Sequence, residues 1–246
     1  MALTRDGRTP LYFQIYDLLR NKIEGGLYLP GDQLPTEAEL SSEFSVSRIT
    51  VKQAIQMLVN DGVLSRHQGK GTFVTKPKVQ RKFKGLISFH DEMRQRGFAP
   101  SAKVLGYGVV PARRAIASAL EISEGEKVVF LKRLRLADGE VMAVQTSYVP
   151  FALCPGLTDK VNTLDGSLYR LLREEFGVKP VRGSEEYDAV VVRGQDATVL
   201  GLPEGSPAFA VKRVAFDPEG RRVEYVESLL RADRYTLEIE LGEGEL

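Results

Sequence analysis

Cysteine and histidine are nearly missing from this 246-residue chain, which has one of the first, Cys154, and two of the second, His67 and His90. A single cysteine cannot close an internal disulfide, which excludes a small secreted fold stapled by such bonds. So few sulfur and imidazole ligands also leave no zinc site of the usual Cys/His kind, and no cofactor is expected. Long apolar runs are absent too: Val109–Val110 and Val190–Val192 fall far short of the ~18 residues of a membrane span. Met1–Arg8 is polar and charged, without the apolar segment of a secretory signal, so the cytoplasm is the expected compartment. What is present is ordinary globular material, 43% hydrophobic and 27% charged. That composition excludes a wholly disordered chain, a collagen and a coiled-coil rod. The length suits one large domain or two ordinary ones.

The formal net charge of +1 conceals a strong asymmetry. Residues 44–84 carry nine basic side chains and one acidic one, Asp61, whereas acidic residues outnumber basic ones on both sides. A basic third in an otherwise balanced chain points to a local polyanion-binding surface, or to a solvated basic loop and linker. Charge alone does not separate these readings.

The order of residues within that region does more. Leu11, Ile15, Leu18, Leu19 and Ile23 follow Pro10 at helical spacing, and Gly25–Gly26 ends the pattern. Leu29-Pro30-Gly31 is a turn. Thr36-Glu37-Ala38-Glu39 fits a capping box opening a short second helix with Ala38, Leu40 and Phe44 inward. Ser47 caps a third helix to about Val59, with Val51, Ala54, Ile55 and Leu58 on one face. Its other face carries Lys52, Gln53 and Gln56, flanked by Arg48 and Thr50, side chains that bond phosphates or base edges. Two short helices joined by a tight turn, the second rich in donors, make a helix-turn-helix. Val63–His67 and Gly71–Val74 then form a β-hairpin whose tip, Gln68-Gly69-Lys70, is basic and glycine-bearing: a wing.

Blander readings compete. A polar helix face is more often solvated surface than a reader of DNA. The wing tip does not make a phosphate-binding loop, because Gly71 rather than Ser or Thr follows Lys70. His67 has no carboxylate or nucleophile near it in sequence and reads as a wing residue. Taken together, however, Pro10-Leu11-Tyr12 to Ile23, Gly31–Glu37, Val46–Val51 and Gly69–Val74 resemble the winged-helix domain of the GntR family of bacterial transcription regulators. The resemblance covers residues 8–75. It implies that Arg48, Thr50, Lys52 and Gln53 meet operator DNA from the recognition helix and that Thr36 touches a phosphate. Gln68, Gly69 and Lys70 would enter the minor groove at the wing. Ala38 stands where some members carry Arg.

Residues 76–84 show neither period and read as a linker. Beyond them, strand-like stretches fall at Lys103–Val110, Val128–Leu136, Val141–Val149, Glu185–Val192, Pro207–Phe216 and Arg222–Leu230. Helix-like stretches fall at Ser88–Gln95, Pro111–Leu120, Gly166–Phe176 and Gln195–Leu200. Short loops such as Ala137–Glu140 and Asp217–Gly220 make the sheet largely antiparallel, so the class is α+β. A faint repeat supports this. Leu120–Gly125 before Val128–Arg133 matches Leu200–Gly205 before Ala208–Arg213 at an offset of 80 residues, pairing Arg133 with Arg213.

Arg133 and Arg135 alternate on one strand and so share a face. An internal carboxylate, Glu121, Glu186 or Glu224, or a bound anion would satisfy them, and the residues alone favour the internal salt bridge. Ser167 and Tyr169, at the start of a helix after Asp165-Gly166, offer further donors. Phe89–Met93, Arg133–Ala137, Ser167–Tyr169 and Arg231–Tyr235 resemble the effector-binding (UTRA) domain of the HutC subfamily of GntR regulators. That resemblance covers residues 85–241 and implies a chorismate-lyase-like fold. It also implies a ligand site lined by Ser88, Phe89, Arg133, Arg135, Gln145, Ser167, Tyr169 and Glu224. Gln145 stands where sugar-phosphate-responsive relatives often have Glu, and Leu230 where they often have Tyr.

The expected protein is a two-domain transcription regulator, a repressor binding a palindromic operator as a homodimer under control of a small anionic metabolite. An enzyme with lyase-like or hydrolytic chemistry in the second domain is the alternative. Against it stand the missing Ser/His/Asp set, the missing HExxH pattern and Cys154, which has no histidine nearby in sequence. A non-specific architectural DNA-binding protein is the third possibility, disfavoured by the ordered wing and the large second domain.

Overall fold

The computed structural model describes residues 3–4, 9–67, 69, 71–75, 78–82, 85–163 and 166–240. Two compact units divide the chain, Met1–Pro77 and Lys78–Leu246. No helix among the described residues is long and apolar enough to cross a membrane.

In the first unit the periodic apolar residues become three helices, α1 (Leu11–Glu24), α2 (Glu37–Phe44) and α3 (Arg48–Asn60). Ile15, Leu19, Leu40, Val51, Ile55 and Leu58 form the core where the three apolar stripes meet. Between α2 and α3 the chain turns at Ser45, held in the left-handed region at φ 52°. Strands β1 (Leu64–His67) and β2 (Gly71–Val74) pair antiparallel, with His67 opposite Gly71. Gly71 has φ 124°, a conformation that favours glycine, and a Cβ there would stand 2.5 Å from Gln33 Nε2, so the end of that side chain would have to shift.

The second unit begins with a difference from expectation. Val79–Lys82, within the stretch read as linker, is a strand, β3, pairing in parallel with β10 (Tyr235–Glu238). Neither is long enough to show a period, and Val79 is the buried residue that fixes β3 in place. After α4 (Phe89–Gln95) come β4 (Pro100–Pro111), α5 (Arg114–Leu120), β5 (Lys127–Ala137) and β6 (Glu140–Pro150). Two 3₁₀ turns, Phe151–Leu153 and Leu157–Thr163, lead to α6 (Leu168–Phe176). The same strand–helix–hairpin order then recurs in β7 (Arg182–Val191), α7 (Gly194–Leu200), β8 (Pro207–Phe216) and β9 (Arg222–Arg231).

One six-stranded antiparallel sheet results, ordered β4-β5-β6-β9-β8-β7. The repeat inferred at an offset of 80 therefore becomes two three-stranded halves joined along β6 and β9, as an approximate two-fold axis requires. Side chains alternate across the sheet. One face packs on α5 through Ile116, Leu120 and Val128, and on α7 through Ala197, Leu200 and Val144. The other packs on α6 and the 3₁₀ turns through Leu131, Leu157, Leu168 and Leu172, and on α4 through Met93, Ala143 and Leu230. Arg133, Arg135 and Gln145 rise from this second face.

Candidate functional site

In the first unit α3 turns its expected reading side outward. Ser47 caps it, accepting from the Thr50 amide at 3.2 Å, and its hydroxyl lies 2.8 Å from Thr50 Oγ1. Arg48, Lys52 and Gln53 are exposed. Among the described residues neither Arg48 nor Lys52 has an ion-pair partner, and Ile49 beside them is 72% exposed. Free cations and one bare aliphatic side chain at a helix start suit a phosphate backbone and a groove floor. Thr36 closes its capping box: Oγ1 donates to Glu39 Oε2 at 2.7 Å, and the Thr36 amide donates to the same oxygen at 2.7 Å. A phosphate reaching this hydroxyl must displace a carboxylate held ionised by those bonds, which lower the Glu39 pKa. Gly69 lies at φ 72° in the wing turn. Gln68 and Lys70 lie outside the described residues.

The second unit brings the expected effector residues together. Arg133, Arg135, Gln145, Tyr169, Ser88, Phe89 and Glu224 border one narrow cavity. Register explains part of this: Arg133 on β5 lies opposite Gln145 on β6, and Gln145 opposite Ser228 on β9. Gln145 Oε1 accepts from Arg135 at 2.7 and 3.0 Å, and from Arg133 Nη2 at a long 3.4 Å. Arg135 also donates to the Gly166 carbonyl at 3.1 Å and stacks over Phe89, 5.3 Å from the ring centre. Gly166 sits at φ 75°, and a Cβ there would stand 2.5 Å from His90 Nδ1, so the chain approaches this closely only as glycine. Ser88 and Ser167 cap α4 and α6, and Ser167 Oγ donates to Ser88 Oγ at 3.4 Å.

The internal salt bridge favoured for the two arginines is not formed. Glu121 pairs instead with Arg222 at 2.7 Å, and Glu186 lines a groove beside α5. Glu224 is buried near Arg133, yet its Oε2 has no hydrogen-bond partner. Arg133 is 1% exposed with Nε and Nη1 both unpartnered, and the Tyr169 hydroxyl, close to Arg213 and Glu224, makes no hydrogen bond of ordinary length. Burial, partly offset by Glu224, lowers the Arg133 pKa to about 10. For Arg135 burial and then the Arg133 charge push the same way. A guanidinium keeps its proton at neutral pH, so these shifts express charge held at a cost and open to an anion.

Residues that the sequence reading left out border the same space. Arg213 on β8 lines the cavity of Arg133, and its guanidinium is bound to Glu185 on β7. Glu185 also accepts from Arg81 of β3 at 2.9 Å and from the Tyr187 hydroxyl. The repeat was the available signal for Arg213. Arg81 carried none, because it fell in the segment read as linker. Cys154 is fully buried, and burial alone raises its thiol to about 12, so it serves packing and not nucleophilic chemistry. Among the described residues no three His, Cys, Asp or Glu side chains cluster as metal ligands do.

Known proteins agree with this division. Residues 11–74 match the model for bacterial regulatory proteins of the gntR family, and residues 95–236 match the UTRA domain. The HTH-type transcriptional repressor NagR of Bacillus subtilis is 32% identical, over 96% of each chain. The mannosyl-D-glycerate transport/metabolism system repressor MngR of Escherichia coli is 32% identical, over 93% of this chain and 95% of that one. Among solved structures, PhnF from Mycobacterium smegmatis superposes with a TM-score of 0.65 at 28% identity, over 94% of this chain and all of the other. NagR and MngR are named as repressors and not as enzymes. A winged helix-turn-helix followed by a metabolite-responsive UTRA domain is the HutC-type arrangement, and this chain belongs to the GntR family of bacterial transcription regulators.

Proposed function

We propose that the protein is a cytoplasmic, homodimeric repressor released or recruited by a small phosphorylated or carboxylated metabolite held between Arg133 and Arg135. The observation that carries the anion is the fully buried Arg133, with Nε and Nη1 unpartnered beside a Tyr169 hydroxyl that makes no hydrogen bond of ordinary length. An oxyanion there exchanges costly unpaired donors for charge-assisted hydrogen bonds. Ser88, Phe89, Gln145, Ser167 and Glu224 complete the proposed contacts, and the free carboxylate oxygen of Glu224 favours a ligand that also carries a hydroxyl donor. The names of NagR and MngR, both repressors, support repression. A dimer follows from the docking of this motif, in which two recognition helices meet half-sites about one helical turn apart.

On the DNA side the proposed contacts are Thr36, Arg48, Thr50, Lys52 and Gln53, with Gln68, Gly69 and Lys70 at the wing. Domain limits of 8–75 and 85–241 are proposed with them, Val79–Lys82 being assigned to the second unit. Calorimetry with a panel of phosphosugars and hydroxycarboxylates tests the pocket: wild type binds one of them and Arg133→Ala abolishes it. Footprinting tests the reader, because Arg48→Ala should cost about 1–3 kcal/mol of operator binding and relax one base position per half-site. Full operator affinity in that variant would overturn the assignment.

A further inference from the structure

Arg213 borders three cavities that share lining residues: the proposed anion pocket and two neighbours bordered also by Arg81, Glu92 and Glu185. Its guanidinium faces two ways. Toward the pocket it shares space with Arg133, Arg135 and Tyr169. Away from it, Nε and Nη2 bind Glu185, whose same oxygen accepts from Arg81 at 2.9 Å. All three side chains are largely buried, at 11 to 15% exposure. Arg213 Nη1 also reaches the Ile87 carbonyl at 3.4 Å, one residue before the Ser88 cap that lines the pocket.

Arg81 belongs to β3, which begins two residues after the first unit ends. That strand has four residues and one pairing partner, β10. Apart from this backbone pairing, β3 is tied to the rest of the unit by Val79, buried in the core with Met93 and Tyr235, and by the mostly buried Arg81–Glu185 ion pair; Lys82 with Glu238 is a half-exposed pair. Glu185 is thus the hub where the anion pocket and the first strand of the effector unit meet.

We propose that Arg213, Glu185 and Arg81 carry the occupancy of the anion pocket to β3. The inference rests on the anion reading above. An oxyanion between Arg133 and Arg135 stands within reach of the Arg213 guanidinium and competes with Glu185 for it. Drawn toward the pocket, Arg213 releases Glu185, and Arg81 loses a partner whose position Arg213 had fixed. The strand leading back to the DNA-binding unit is loosened. Of the three, Arg213 meets the anion, whereas Glu185 and Arg81 act through it and are positioning residues. Coupling of this kind is reciprocal, so a change that frees Arg213 beforehand must also strengthen anion binding.

Amide exchange on the full-length protein tests this with inorganic phosphate as probe, saturation being set by calorimetry on the same sample. In wild type, phosphate should speed exchange of the Gln80–Lys82 amides about tenfold, a typical coupling between two sites. Glu185→Gln should show fast exchange with and without phosphate, and should bind phosphate more tightly than wild type, since Arg213 is already released. Arg81→Met, on the far side of the hub, should also exchange fast throughout while its phosphate affinity stays within about twofold of wild type. A merely structural Glu185 predicts weaker phosphate binding in Glu185→Gln, and that result overturns the proposal. So does a β3 whose exchange ignores bound phosphate in wild type. Absence of phosphate binding to wild type overturns the anion reading, and the relay falls with it; binding with an unmoved β3 removes the relay alone.

Discussion

The two halves of the effector sheet place the same residue in the same row and give it opposite fates. On β5, Arg133 lies between Val104 of β4 and Gln145 of β6. On β8, Arg213 lies between Glu185 of β7 and Val226 of β9. The approximate two-fold exchanges Arg133 with Arg213 and Val104 with Glu185. Arg213 has a carboxylate as its outer neighbour and is bound to it, whereas Arg133 has a valine and keeps two donor nitrogens unmet. Arg133 is 1% exposed and the Arg213 side chain 11%, so both are largely out of solvent and charge pairing is the larger difference between them. One half stores its cation as structure. The other holds it ready for a ligand.

The largest effect should come from removing each arginine in turn. Arg213→Ala leaves Glu185 mostly buried with only Arg81 and Tyr187, and breaking such a pair costs about 3 kcal/mol. Arg133→Met removes a buried charge that Glu224 offsets only in part and without a hydrogen bond, and a volume-filling apolar side chain there is neutral or stabilising within about 1 kcal/mol. Calorimetric melting of the ligand-free full chain should therefore show a drop for the first variant and little change for the second. Equal destabilisation by both would mean that Arg133 is as structural as Arg213, and the contrast between the halves would be lost.

A smaller effect should follow from making the halves alike. Val104 is register partner to Arg133 and points to the same face of the sheet, so Val104→Glu supplies the carboxylate that Glu185 supplies to Arg213. The new pair is half exposed, since Val104 itself is 39% exposed, and it should weaken anion binding about tenfold, or 1.4 kcal/mol. Val104→Gln has the same shape without the charge and should leave affinity within about twofold. Equal losses in the two variants would point to a steric effect and would break the argument from charge.

Much of this was legible before any coordinates. Capping residues and apolar periods put α1, α2 and α3 within a residue or two of their ends, because local interactions decide them. The strands of the large sheet were readable for the same reason, as was the offset that pairs Arg133 with Arg213. What stayed hidden depended on register and on segments too short to have a period. Val79–Lys82 and Tyr235–Glu238 become strands only by finding each other across the chain. The expected salt bridge for Arg133 and Arg135 failed because a sequence shows that Glu121, Glu186 and Glu224 exist, not which way they face. Glu121 went to Arg222, and Glu224 came close without making the bond. Glu185, the carboxylate that matters most, lies on the opposite edge strand from Val104, a juxtaposition that only the sheet order reveals.

The smallest effect is a pH dependence, and it isolates the paired half. Burial by itself raises the Glu185 carboxyl, but Arg213 and Arg81, with the Tyr187 hydroxyl, outweigh it and leave the pKa below the ordinary 4.5. A carboxylate held lower when folded than when unfolded adds stability that is present above the unfolded value. That stability is lost as pH falls through the folded one. The arginines stay charged throughout, so the loss follows Glu185 alone at this hub. Asp217 and Asp233 are lowered in the same direction, by Arg221 and Arg231, and contribute equally to wild type and variant. Comparing the fall in melting temperature from about pH 6 to about pH 3 should therefore give a flatter profile for Glu185→Gln than for wild type. Arg133→Met should run parallel to wild type, having no lowered carboxylate to lose. If its profile flattens as much as that of Glu185→Gln, Arg133 shares the acid-sensitive pairing, and the two halves differ less than their edge strands suggest.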